Sequence, residues 1–341
     1  MKLARTVAVV ALPFLLVLLA FSLFNLAAAR WQYARNPAPG QFYLVYGKQM
    51  HLNCSGAGTP TVVIEAGASA NSLGWQAVQS QLSRLTRVCT YDRAGHGWSE
   101  PRTGLRDAET IVRELHSLLE LAGVKGPLVL AGHSAGGLYV REYSREFPAD
   151  IAGVALIDSS SPVQIDELPG WRQSYEADKN NFARALRGER IRVWSGWERL
   201  LGRCHDTPSK ELQYLAGQYD AQMCRPEFVG GDESEFLFFE ATCQQAARLR
   251  SFGNVPLLII SQDPDRPRDA MTANAVAGLA VWSREQEALK ALSPLSWRVI
   301  ARGSGHGVQH DRPGLVVAEM TRLITLLRGG PEPAFGSSKV E

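Results

Sequence analysis

Short runs of aliphatic and β-branched residues recur along the chain with helix-like stretches between them, and this alternation limits the folds open to it. The runs are Thr61–Glu65 (TVVIE), Arg87–Tyr91 (RVCTY), Pro127–Leu130 (PLVL), Val154–Ile157 (VALI), Pro256–Ile260 (PLLII) and Trp297–Ile300 (WRVI). Strands that alternate with helices predict a mainly parallel sheet covered by helices. The stretch DAETIVRELHSLLELAGV is one such helix, with Ile111, Leu115, Leu118 and Leu119 on one face and Gly123 as its C-terminal stop. Ahead of the alternation, FYLVYG and QMHLNC flank Gly47-Lys48 as a hairpin. The pattern breaks between about residues 162 and 252, where helical character and the aromatics Trp171, Trp194, Trp197, Phe236, Phe238 and Phe239 predict a cap over the sheet's carboxyl edge. No repeat of solenoid or propeller period is present.

A chain of 341 residues, 45% hydrophobic, can bury a large core. Its 36 basic and 34 acidic residues are dispersed, without a basic stripe, which argues against nucleic acid as a partner. Val7 to Ala29 (VAVVALPFLLVLLAFSLFNLAAA) is apolar and flanked by Lys2, Arg5 and Arg30, so residues 1–30 are expected in a membrane. Its length exceeds that of a usual signal core and favours a retained anchor, while Ala27-Ala28-Ala29 resembles a cleavage site. Either way the bulk of the protein is expected outside the cytosol, anchored to the membrane, or secreted or periplasmic after cleavage. Residues 31–40 are read as a linker, 41–328 as the folded domain and 329–341 (GGPEPAFGSSKVE) as a disordered tail.

The five cysteines, Cys54, Cys89, Cys204, Cys224 and Cys243, lack metal-ligand spacing, and no metal or other cofactor is indicated. Cys54 and Cys89 lie in strand-like segments, as a disulfide or as two buried thiols. At least one cysteine stays unpaired within the chain.

Gly132-His133-Ser134-Ala135-Gly136 fits G-x-S-x-G between the strand PLVL and the helical GGLYVREYSREF. That junction strains the serine backbone and exposes its hydroxyl at a helix N-terminus, as a nucleophile requires. A serine needs a base to take its proton. Of seven histidines, His306 lies in the glycine-flanked loop after the last strand, RVIARGSGHGVQHDRPG, and is the expected base; His205 and His310 read as surface or supporting residues. The orienting acid is expected in DPDRP after PLLIISQ, at Asp265, with Asp263 as the alternative. Asp158, ending VALID, is read as a structural carboxylate. Two amides must hold the oxyanion: that of Ala135, after the nucleophile, and that of Ala68, after the glycine turn in EAGASA.

In chain order, VVIEAGASANSLGW, VCTYDRAGHGWSEP, LVLAGHSAGG, GVALIDSSSP, LLIISQDPD and GSGHGVQHDRP resemble the α/β-hydrolase fold superfamily over nearly the whole folded region. The resemblance implies an α/β-hydrolase fold with a helical cap and a triad of Ser134, Asp265 or Asp263, and His306, with oxyanion amides at Ala68 and Ala135. In YDRAGHGWS it implies mainly structural roles for Arg93, Gly95 and Gly97. The sequence departs from the pattern at Glu65-Ala66-Gly67, where many members have His-Gly, and in an acid loop without its usual glycine. The serine at the elbow disfavours the epoxide hydrolase and haloalkane dehalogenase types, which use aspartate. The expected activity is hydrolysis of small-molecule esters with apolar acyl or aryl groups through an acyl-enzyme. Acyl transfer, amide or peptide cleavage and carbon-carbon bond hydrolysis use the same triad. A membrane-tethered binding protein without catalysis is the remote alternative. Oligomeric state is not legible.

Overall fold

The strand-like runs join into one nine-stranded sheet in the order β1-β2-β4-β3-β5-β6-β7-β8-β9, seen in a computed structural model that describes residues 2–205, 210–225, 231–266 and 271–341. β1 (Gln41–Val45) and β2 (Lys48–Ser55) form the expected hairpin, and β2 also pairs antiparallel with β4 (Val88–Tyr91). β3 (Thr61–Glu65), β5 (Leu128–His133), β6 (Ile151–Ile157), β7 (Leu257–Gln262) and β8 (Ser296–Ala301) continue the sheet in parallel.

The chain divides into two compact units, Met1–Pro39 with Asn181–Gly230, and Gly40–Asn180 with Gly231–Glu341. In the sheet-bearing unit, alternate strand residues feed two cores, because successive side chains point to opposite faces. Val63, Leu130, Leu156 and Ile259 meet α3 (Ala108–Leu121) and α4 (Ala135–Glu146). Val62, Val129, Ala155 and Leu258 meet α2 (Gln76–Leu82) and α13 (Pro313–Leu327). The α3 helix starts where the Asp107 side chain accepts the Thr110 amide, and it buries Ile111, Leu115, Leu118 and Leu119 as its spacing predicts. The same unit holds α5 (Gln164–Glu167), α9 (Gly231–Leu237), α10 (Phe239–Ala246), α11 (Ala273–Ala288) and α12 (Val308–Asp311).

The other unit combines α1 (Lys2–Arg35), the second half of α6 (Trp171–Trp194), α7 (Trp197–Leu200) and α8 (Ala216–Gln222). Within α1, Leu15–Arg35 has a mean hydropathy of 1.5 and is long and apolar enough to cross a membrane, a test that a signal sequence also passes. Asn25, midway along it, is fully buried: its Nδ2 donates to the Val193 carbonyl at 2.8 Å, and its Oδ1 accepts from Arg199 Nε at 2.8 Å. A Cβ at Gly196 would stand 2.7 Å from the Phe21 carbonyl oxygen, so the α6–α7 turn lies directly on α1.

Several expectations are revised. The cap expected over 162–252 does not act as one insertion: 181–230 packs with the N-terminal helix, and its stretches 206–209 and 226–230 lie outside the described residues. The expected linker begins late, because α1 runs on to Arg35. The expected disordered tail is ordered at its end: β9 (Ser338–Val340) pairs parallel with β8, where Arg298 donates its amide to the Ser337 carbonyl at 2.9 Å. Without it β8 would present an open row of amides and carbonyls at the sheet edge, and Phe335 packs on Trp297 to hold the segment there. Cys54 and Cys89 stand opposite each other in the β2–β4 register and are bridged; Cys204–Cys224 is a second disulfide, and Cys243 is a buried free thiol.

Candidate active site

β3, β5, β6 and β8 all end at the carboxyl edge of the sheet, and each contributes to one cluster there. Ser134 follows β5 with φ 52° and ψ −126°, a left-handed-side backbone that a non-glycine residue adopts only under constraint. The constraint is close packing at the turn. A Cβ on Gly136 would lie 2.4 Å from the Glu65 carbonyl oxygen, and one on Gly67 would lie 2.9 Å from the His133 ring. Small residues are therefore required on both sides of the serine.

The loop after β8 brings His306 onto Ser134, with Nε2 at 3.0 Å from the hydroxyl oxygen, which donates to it. On the other side of the ring, Nδ1–H donates to Oδ2 of Asp158 at 2.6 Å. Asp158 is fully buried, and its second oxygen accepts from the Gln262 amide and from Trp282 Nε1, both at 2.9 Å. The Trp282 ring, from α11, also stands nearly perpendicular to His306 with centroids 5.5 Å apart.

This arrangement corrects the expected acid. Neither Asp265 nor Asp263 is the partner of His306 Nδ1, whose single proton goes to Asp158. The Asp263 Oδ2 accepts the Gly303 amide at 2.8 Å, and its Oδ1 accepts the Asp265 amide at 2.9 Å. Asp263 thus pins the start of the loop that carries His306, and Asp265 is an exposed turn residue. Strand register, which the sequence does not display, places Asp158: His133 pairs with Ile157, so Ser134 and Asp158 each stand one residue past the same rung of adjacent strands. His310 lies on α12 near Gly74, and His205 pairs with Asp220 at 2.7 Å in the other unit.

His133 supports the same loop, its Nε2–H donating to the His306 carbonyl at 2.9 Å. Burial first, and the neighbouring His306 second, push its pKa down to about 4, so the ring is neutral near pH 7.

Ala68 and Ala135 face the same cavity as Ser134 and His306. The Arg93 guanidinium holds the carbonyls of Ala66 at 2.8 Å and Gly67 at 2.7 Å. In the trans peptide between residues 67 and 68 the amide points opposite to its carbonyl, so the Ala68 N–H is turned away from Arg93. Ala135 offers its amide at the N-terminus of α4. Arg93 also bonds Glu65 at 2.8 Å and Glu235 of α9 at 2.8 Å, all three buried. Burial drives the Glu65 carboxyl up to about 7 against the pull of Arg93. Burial works against ionised Glu235 as well, yet Arg93 and His96 outweigh it and hold that carboxyl well below the usual range. One guanidinium thus serves two carboxyls of unequal acidity. The sequence reading gave Arg93 a structural role and did not single out Glu235 or Trp282, because the former is brought in by α9 and the latter by α11.

The cavity has a volume of about 600 Å³, within the range of small-molecule sites, and its walls include Leu168, Trp171, Phe236, Phe239 and Leu279. Among the described residues no group of three or more His, Cys, Asp or Glu is placed to hold a metal ion.

The family model described as the alpha/beta hydrolase family matches residues 62–319. A solved esterase from Thermogutta terrifontis has a TM-score of 0.60 at 17% identity, covering 85% of this chain and 99% of that one, a likeness of fold. An AB hydrolase superfamily protein of Gibberella zeae is 26% identical over 300 residues, 79% of this chain and 87% of the relative. A probable transporter, efuK, of Hormonema carpetanum is 33% identical over 116 residues, and the match spans 33% of this chain and 17% of that protein. The matched span runs from β3 into α13 and takes in Ser134, Asp158 and His306, and the chain belongs to the alpha/beta hydrolase family and is a hydrolase.

Proposed function

We propose that the chain is a serine ester hydrolase in which Ser134 is the nucleophile, His306 the base and Asp158 the orienting acid. The observation that carries this reading is the unbroken relay from the Ser134 hydroxyl through His306 to Asp158, at 3.0 and 2.6 Å. His306 takes the serine proton as Oγ bonds to the ester carbonyl carbon, and Asp158 stabilises the imidazolium that forms. The amides of Ala68 and Ala135 hold the oxyanion. The imidazolium returns the proton to the leaving alkoxide, and a water activated by the same ring then releases the acid from the acyl-serine.

Walls rich in Trp, Phe and Leu suit an apolar acyl or aryl group. The two disulfides and the apolar α1 support a place outside the cytosol, at a membrane or after export. A fluorophosphonate probe on the full chain in detergent is expected to label wild type and not Ser134→Ala, and an ester panel of graded acyl length is expected to show turnover. Equal labelling of both proteins, or no turnover of any ester, overturns the reading.

A further inference from the structure

Within the unit formed by Met1–Pro39 and Asn181–Gly230, the described residues outside α1 expose Ile191, Trp194, Trp197, Leu200 and Leu201, each between 45% and 69% exposed. Five large apolar side chains exposed within eleven residues are a load that a water-facing surface rarely carries. Its position on α1 gives it a meaning. The α6–α7 turn rests on Phe21 and Asn25, and Asn25 exchanges hydrogen bonds with Val193 and Arg199. Phe21 and Asn25 lie eight and four residues inside the end of the apolar run at Ala29, which at the helical rise is about 12 and about 6 Å. If α1 occupies a bilayer, whatever is clamped to it there sits at the boundary of headgroups and acyl chains.

The chemistry of the clamped segment fits that depth. Indole rings favour the membrane interface, and amphipathic segments bury their apolar side chains about 5–10 Å into it. The polar Asn25 within the apolar run is satisfied by protein partners, as hydrocarbon requires. Residues 181–205 carry six arginines against two glutamates, a balance that anionic headgroups attract.

We infer that the segment Ile191–Leu201 is a second membrane-contacting element, inserted shallowly beside α1 into an anionic bilayer interface. The inference rests on the reading of α1 as a membrane segment, and the test separates the two. The full chain with Cys243→Ala is labelled with a polarity-sensitive fluorophore at one introduced cysteine, Trp197→Cys, Leu201→Cys, Leu16→Cys on α1, or Leu121→Cys on α3. Each is reconstituted in phosphatidylcholine–phosphatidylglycerol vesicles with and without brominated acyl chains. The expected result is blue-shifted emission and loss of intensity in brominated vesicles at residues 197, 201 and 16, and neither at 121. Loss at 16 alone leaves α1 in the membrane and overturns the inference. Loss at 197 and 201 without loss at 16 overturns the α1 reading and, with it, the placement of the segment beside α1. A blue shift at 197 and 201 without quenching assigns the patch to a protein surface and overturns the inference as well.

Discussion

Two acidic turns leave neighbouring strands at the carboxyl edge of the sheet and do different work. After β6, Asp158 is buried and spends one oxygen on His306 and the other on Trp282 and Gln262. After β7, Asp263 spends both oxygens on backbone amides, one in the loop that delivers His306 and one at Asp265. The first turn fixes the ring, and the second fixes the path of the chain toward it. A carboxylate near a catalytic loop is therefore assigned by which atom it meets and not by its distance from the strand end.

The sharpest way to break this contrast is Asp158→Asn, which keeps the shape and removes the charge that sets the imidazole tautomer. Ester turnover is expected to fall about 10³–10⁴-fold in kcat, with folding intact by circular dichroism; a loss below tenfold returns the role to the β7 turn. Next in size is the third hold on the His306 loop, His133. Its pKa lies below the ordinary 6.5, at about 4, so the unfolded chain binds a proton there that the folded ring refuses. Stability is full above about pH 6.5 and declines as pH falls toward 4, by about 3 kcal/mol from this group. Thermal melts across that window are expected to show a steeper decline for wild type than for His133→Gln, and parallel curves overturn the assignment.

Smaller again is Trp282→Phe, which removes one donor from Asp158 and keeps a ring against His306. A fall of about tenfold in kcat is expected, with KM for a short ester held and the acid limb of the pH–rate profile displaced. A purely structural role would move stability and leave the profile in place. At the β7 turn, Asp263→Ala is expected to lower the melting temperature and to reduce turnover by a few fold through a looser loop. Asp265→Asn is expected to cost less turnover than Asp263→Ala in the same assays, and a large loss of kcat there would erase the contrast between the two turns.

Much of the site was legible because its signals are local. The proposed nucleophile sits where a strand, a glycine turn and a helix follow in immediate succession, and the packing at Gly136 gives the reason for the small residues. The loop histidine is legible in the same way, since a glycine-flanked loop between a strand and a helix is a short-range pattern. The alternation of strands and helices gives the parallel sheet, and the matched residues 62–319 belong to that fold.

The remainder depends on long-range register. Asp158 and Asp263 both end apolar runs, and only the pairing of β5 with β6 puts one of them beside Ser134. Trp282 reaches Asp158 from 124 residues away, and Glu235 reaches Arg93 from 142 residues away, separations with no pattern to announce them. The last residues read as a tail because Pro and Gly dominate them, yet an open sheet edge at β8 recruits Ser338–Val340. In the same way the aromatic stretch after β6 reads as one cap, while close packing at Gly196 and the hydrogen bonds of Asn25 join part of it to the N-terminal helix. The sequence by itself determined the central strands, turns and helices, since those follow from nearest-neighbour chemistry. Which carboxylate meets which ring, and which helix meets which, was decided by tertiary packing, because hydrogen bonds and contact surfaces between distant segments exist only once the chain has closed on itself.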